Sequence, residues 1–359
     1  MKPTQKKVLT KVHVLFLVQN CLIGTGILQL PQSLSSMGYS QAFMPIFFAI
    51  IATLTLWPMV WLNSKFPNED FFQINKILLG KVLGTFCNIT FIVKFTILCA
   101  STISSYMLLI QSTALPEQTL TFPVICFLIL LIYLVKGGIF TIARFCVIAF
   151  FIGLPMLFFT QWAIEKGEFS HIFPLFNFTL PELYDATRKG YLSFLGYELI
   201  LFYYPYIIHQ KSAYKYATIG IWISAILMLI TTTVSVMYFS EWQLQNVEFS
   251  VLNIFKAGEY SFIERIDIIC MTLWILFVYS TVALYLWTAN EGFKKMIWSK
   301  SSIHLYLLAF GIFLLLILPI SQHTKVKFYS FIDHAVYLMI IWPIFLLIIY
   351  FFRKKQVQQ

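Results

Sequence analysis

Glu198 is the only charged residue in the apolar run LSFLGYELILFYYPYI, Leu192 to Ile207, where it follows Ser193 and Gly196 and precedes Pro205. An ionisable side chain at the centre of a membrane helix costs about 2.5 to 3.5 kcal/mol even on translocon scales, so one found there asks for a purpose. Glu198 would hold a proton, pair with a cation or meet a ligand amine; alternatively, it forms a structural ion pair or hydrogen bond that locks two helices. Lys94, the one base deep inside an expected span, is its candidate partner, although a long lysine also snorkels toward an interface.

A second interrupted stretch, LIGTGILQLP from Leu22 to Pro31, sits at the corresponding place near the start of the chain. Gly24 and Gly26 flank Thr25 and permit unwinding, which would turn the N–H groups of the following half-helix toward an anionic group such as a carboxylate. Glycine also makes small-residue packing faces in membrane helices. Two breaks in matching positions favour the binding reading, because broken backbone survives in a bilayer only where it lines a cavity or is buried in protein.

Hydroxyl groups supply the next candidates. Tyr279, Ser280, Thr281, Tyr285 and Thr288 lie on one later span, with Thr281 and Tyr285 a turn apart on a shared face. Such hydroxyls also back-bond to their own helix. Val93, Ile97 and Ser101, on the third apolar stretch, are expected to form a pocket wall opposite them.

These residues need a membrane scaffold. The chain is 59% hydrophobic and 11% charged, and Val12 to Ser64 contains no Asp, Glu, Lys or Arg. With a mean hydropathy of +0.81, this exceeds what a soluble domain of 359 residues buries and gives an all-α polytopic membrane protein. Ten spans are expected: Val12 to Leu34, Gln41 to Leu62, Leu83 to Ser112, Phe122 to Val135, Ile139 to Ile164, Gly190 to Ile208, Ala213 to Ser240, Ile266 to Asn290, Ile303 to Ile320 and Ala335 to Phe352. The first is not expected to be a cleaved signal, since Gln19 and Asn20 interrupt it and no small-x-small site follows.

An even span count puts both termini on one side. Segments there hold most of the bases, with clusters at Lys2 to Lys11, Lys65 to Lys81, Lys136 and Arg144, Lys211 and Lys215, Lys294 to Lys300, and Arg353 to Lys355. The other side holds Lys166, Arg188, Lys189, Lys256, Arg265, Lys325 and Lys327. That asymmetry makes the terminal side cytoplasmic and explains the net charge of +10 through anionic lipid, not nucleic acid.

The longest loops, Glu165 to Lys189 and Glu241 to Arg265, fall outside in this topology. SHIFPLF (Ser170 to Phe176) with Pro181, and the group Val251, Leu252, Ile254 and Phe255, are each expected to lie on the surface as short amphipathic stretches. The six cysteines (Cys21, Cys87, Cys99, Cys126, Cys146, Cys270) lack C-x-x-C spacing and read as reduced, buried packing residues. Metalloprotease, nucleophile-elbow and phosphate-loop signatures are missing and the histidines are scattered, so no enzyme, cofactor or metal is expected.

Four segments carry a resemblance: LTKVHVLFLVQNCLIGTGILQLP, SHIFPLF, YLSFLGYELILFYYPYI and FIERIDIICMTLWILFVYST. In this order they resemble the B-subunit family of GerA-type spore germinant receptors, with GYE and the following YPY the most specific piece. The resemblance implies the fold of the amino acid, polyamine and organocation transporter superfamily: two inverted five-helix repeats, here residues 12–164 and 190–352 of a single transmembrane domain spanning 1–359, with the first and sixth spans broken. It also implies a nutrient sensor in the inner membrane of a bacterial spore, working with A and C partner subunits. Carried onto this chain, the pocket would comprise Gly24, Thr25, Gly26, the stretch with Ser193, Leu195, Gly196, Tyr197 and Glu198, and Thr281 and Tyr285, with Val93 and Ile97 on the third span. Arg265 and Asp267 of FIERID read as structural.

The expected function is therefore binding of a small nutrient, an amino acid favoured, between broken helices. A proton- or sodium-coupled amino acid transporter is the alternative, since the same fold serves both.

Overall fold

Helix α1 (Lys11–Leu22) begins where Thr10 and His13 cap one another: the Thr10 hydroxyl accepts from the His13 amide and the His13 ring accepts from the Thr10 amide. It stops at Leu22 because Ile23 leaves helical geometry (φ −97°, ψ 70°). The chain resumes as α2 (Gly26–Ser33), bent 51° from α1.

The computed structural model describes residues 7–114, 118–174, 176–258, 265–297, 303–318, 324–325, 327–329 and 337–357. Beyond α2 its helices are α3 (Met44–Lys65), α4 (Phe71–Leu79), α5 (Lys81–Thr113), α6 (Thr121–Lys136), α7 (Gly138–Gly153), α8 (Gln161–Lys166), α9 (Leu180–Gly190), α10 (Ile200–Tyr203), α11 (Ala213–Tyr238), α12 (Glu241–Asn246), α13 (Ser250–Phe255), α14 (Ile266–Ile297), α15 (Ile303–Ile317) and α16 (Tyr337–Val357). Parts of the expected pattern lie outside the described residues, namely Lys2, Lys6, Leu175, Phe262 to Glu264, Lys300, the end of the ninth span and the start of the tenth.

Among the described residues, five segments are long and apolar enough to cross a membrane: Ser35–Lys65, Lys81–Thr113, Gly138–Lys166, Gln210–Tyr238 and Ile266–Met296. The α1–α2 pair makes a sixth if its two arms count as one span, and α6, α15 and Tyr337–Arg353 are shorter apolar helices. The stretch expected as the sixth span is not a continuous helix. It runs through 3-10 turns at Tyr191–Phe194, Tyr197–Leu199 and Tyr204–Tyr206 around the four residues of α10.

Helix α14 is the centre of the packing, touching α5, α7 and α1, while α1 also packs on α11 and α7. Buried Tyr106 of α5 donates to the Met271 carbonyl of α14 at 2.9 Å. At the mouth of α14, Arg265 grips Asp267 with two 3.0 Å bonds and also donates to the Thr113 carbonyl at the end of α5. The pair thus staples two helix ends.

The opposite end gathers Lys7 with the C-terminal ends of α3, α14 and α16. Lys7 donates to Gln210, Gln210 to the Pro67 carbonyl, and Arg353 to the Leu78 carbonyl, while Lys295 pairs with Asp70. Helix α4, absent from the sequence reading, is seated here. Asp70 and Gln73 form its capping box, and Asn75 and Asn88 fasten it to α5.

Two sequence expectations are corrected by burial. Val251, Leu252, Ile254 and Phe255 are all buried, because α13 folds inward against α2 instead of lying on the surface. Phe169, Phe173 and Phe176 of the other loop are exposed. Of the cysteines, Cys21, Cys99, Cys146 and Cys270 are buried, whereas Cys126 is exposed on the outer face of α6 and Cys87 is half-buried.

Candidate functional site

Each interruption frees main-chain groups, and the second stretch caps one of the first's. Ser193 donates its hydroxyl to the Gly26 carbonyl at 3.0 Å. The Cys21 carbonyl packs so tightly on Gly196 that a Cβ there would lie 2.7 Å from it. Gly196 has φ +130°, a conformation that L side chains rarely adopt, and Leu195 before it is extended. Helix α14 supplies the remaining partners: Trp274 donates its indole N–H to the Gly24 carbonyl at 3.1 Å, and Thr281 its hydroxyl to the Asn20 carbonyl at 3.3 Å.

Where the two interruptions meet α5 and α14, they line a half-open cavity of about 210 Å³. At ~30 Å³ per water, that is room for a solute of a few heavy atoms, below the ~300–1,000 Å³ of drug-sized pockets. Gly24, Thr25, Gly26, Ser193, Leu195, Thr281 and Tyr285 all line it. Gly26 and Gln29, in the first turn of α2, border this space, and Thr25 makes no side-chain cap bond to that turn.

Gly196, Tyr197 and Glu198 are brought close but do not line the cavity. Tyr197 turns away, its hydroxyl 2.6 Å from that of Thr55 and 2.9 Å from that of Tyr191. Glu198 is buried and turns back on its own interruption, where its carboxylate accepts the Gly196 amide at 2.6 Å. Lys94 is buried on α5.

The α5 wall is displaced from the residues expected. Val93 is half exposed on the outer face of the helix and Ile97 packs partly buried beside the core; neither lines the cavity. Leu98, Ser101, Thr102 and Ser105 do, at the i, i+3, i+4, i+7 spacing of a single helical face. That face was readable as the hydroxyl-rich run CASTISS, with Ser101 shared by both assignments. Cys21, Leu22, Gln29, Ser33, Lys189 and Leu192 complete the lining, Lys189 standing at the exposed end.

Residues 8–326 match the spore permease family, described as spore germination protein. The chain belongs to this family. It is similar over nearly its whole length to spore germination protein GerQB of Bacillus cereus, at 25% identity with 92% of this chain and 94% of the relative covered. Spore germination protein B2 of Bacillus subtilis strain 168 is 22% identical, covering 99% and 98% respectively. Spore germination protein A2 of the same strain is 20% identical over 94% of each chain. The resemblance to germinant-receptor B subunits is thereby shown at the level of the family, and the chain is a multi-pass, nearly all-helical membrane protein.

Proposed function

We propose that this chain is the nutrient-sensing subunit of a germinant receptor, and that a small nutrient, an amino acid favoured, binds in the cavity between the two interrupted stretches. The observation that carries the reading is convergence: residues chosen from four separate segments for their chemistry, Gly24, Ser101, Ser193 and Thr281 among them, line one small hydroxyl-rich space. A ligand carboxylate would sit at the uncapped first turn of α2. A compact solute bridging α2 and the Ser193 turn would favour a closed arrangement, to the extent that it binds the closed state more tightly than the open one.

On this reading the architecture is ten spans in two inverted five-helix repeats, residues 12–164 and 190–352. Both termini lie on the cytoplasmic side of the spore inner membrane, and A and C subunits read the closure. The role is binding without catalysis. The transporter alternative assigns ion coupling to Glu198, but that carboxylate is engaged by the Gly196 amide and is off the cavity wall.

The experiment is germination of spores lacking the endogenous gene and carrying either this chain or Gly24→Trp, across amino acids, nucleosides and sugars, with subunit levels checked by immunoblot. Loss of response to one nutrient class at normal abundance is the expected result. An unchanged response overturns the pocket, and gradient-dependent concentrative uptake in vesicles would put the transporter first.

A further inference from the structure

At the end of the protein that carries Lys7, a second space of about 410 Å³ opens between the C-terminal end of α3 and the segment leading into α11. Trp57 and Trp61 stack along one wall with ring centroids 5.4 Å apart, and Tyr204 and Tyr214 form the other. Gln210 fixes the floor: its amide donates to the Pro67 and Tyr204 carbonyls while its oxygen accepts from Lys7. Tyr214 ties the start of α11 to the Thr53 carbonyl of α3.

Basic groups surround this space. Lys211 lines it, and the Lys65 ammonium stands 5.3 Å over the Trp61 ring. Neither has a carboxylate partner among the described residues. The nearby acids are engaged elsewhere, Asp70 in its pair with Lys295 and Glu69 within electrostatic reach of the same lysine.

Below the basic rim the surface is apolar. Ile46, Ile50, Leu54 and Trp57 recur about once per turn along α3, each 39–67% exposed, and Trp222, Ile226 and Ile230 do the same on neighbouring α11. A soluble anion has no use for such a track. A molecule with an anionic head and a hydrocarbon tail uses both parts at once, and tryptophan, tyrosine and lysine are the residues that sit at the headgroup level of a bilayer.

We propose that the groove between the end of α3 and the start of α11 binds the headgroup of an anionic phospholipid, with an acyl chain laid along the Ile50–Leu54 stripe. This site is separate from the central cavity and does not depend on what binds there.

The test uses the full chain purified in detergent, incubated with phosphatidylglycerol or phosphatidylcholine and analysed by native mass spectrometry. Wild type is expected to retain phosphatidylglycerol over phosphatidylcholine. The double variant Lys65→Gln/Lys211→Gln is expected to lose the preference roughly ten-fold, since each base contributes on the order of a few-fold at the surface. Lys81→Gln, a base at the same end but off the groove, should retain it. Thermal midpoints of both variants should match wild type, as all three lysines are exposed. Equal retention of phosphatidylcholine by the wild type, or an unchanged preference in the double variant, overturns the proposal. Displacement of the lipid by millimolar inorganic phosphate also overturns it, in favour of a soluble-anion site.

Discussion

The Trp274 indole N–H donates to the Gly24 carbonyl at 3.1 Å, joining α14 to the point where the first membrane stretch comes apart. The gap after α1 leaves that carbonyl outside any helix, and the bond is buried. A buried acceptor left without its donor costs about 1–3 kcal/mol. Trp274→Phe keeps an aromatic ring and removes the donor, so a lowered thermal midpoint in detergent is expected. The same midpoint as wild type would mean that the interruption is held by other contacts.

Gly24 and Gly26 stand two residues apart and should respond differently to the same substitution. A methyl group on Gly24 meets Thr281 at 3.4 Å and beyond, which is ordinary contact, so Gly24→Ala is expected to accumulate normally while narrowing the cavity. On Gly26 it meets the Ser193 backbone at 2.9 Å, and that backbone belongs to the other interruption. Gly26→Ala should therefore reduce folded protein, by about 1–3 kcal/mol as overpacking does. Germination dose-response and immunoblotting separate the two: Gly24→Ala shifts the response toward smaller nutrients at full abundance, whereas Gly26→Ala loses abundance.

The interruptions were legible because glycine, proline and a lone carboxylate are conspicuous in an apolar background, as Gly24, Gly196 and Glu198 show. The direction of each side chain was not. Glu198 reads from the sequence as a proton, cation or ligand-amine contact or as a structural lock between two helices, yet its bond is a two-residue reach to the Gly196 amide, at a glycine with φ of +130°. On α5, Val93 and Ser101 are separated by just over two turns, but which face meets α14 is set by tertiary packing, so the wall fell to Leu98, Thr102 and Ser105. Helix α4 opens with Asp70 and Gln73 at capping-box spacing, a signal present in the sequence, but its nine residues are too short for a span. Burial of α13 had no local signal, since four apolar residues in a loop read equally as a surface anchor or an inward plug.

Gly196 combines two constraints, of which Gly80 has only the first. Both have positive φ, +130° and +85°, but a Cβ on Gly80 meets nothing within 4 Å while one on Gly196 strikes the Cys21 carbonyl at 2.7 Å. Gly80→Ala should carry only the backbone cost, about 1–2 kcal/mol. Gly196→Ala adds a clash between the two interruptions and should be the more damaging, measured as the fraction of monodisperse protein recovered after solubilisation. Equal recovery of the two variants would show that the interruptions can move apart without penalty.

The Asp185 carboxylate on α9 accepts from Lys189 at 2.7 Å and lies 3.4 Å from Arg188. The Lys189 hydrogen bond is the main reason that its pKa is held below the ordinary 3.8; burial opposes the shift, and the Lys189 charge and Arg188 add to it. A carboxyl whose folded pKa is depressed adds stability that is complete above its unfolded value and is lost as pH falls through the folded one. Amide exchange protection of α9 should thus be insensitive to this group from neutral pH down to about pH 4 and weaken below it, a step absent from Asp185→Asn. The substitution has a second consequence at neutral pH, because Lys189 lines the exposed end of the cavity. Freed from Asp185, its ammonium makes that end more positive, so Asp185→Asn spores should gain sensitivity to acidic amino acids relative to neutral ones. A response that shifts equally for both would mean that Lys189 does not face the incoming nutrient.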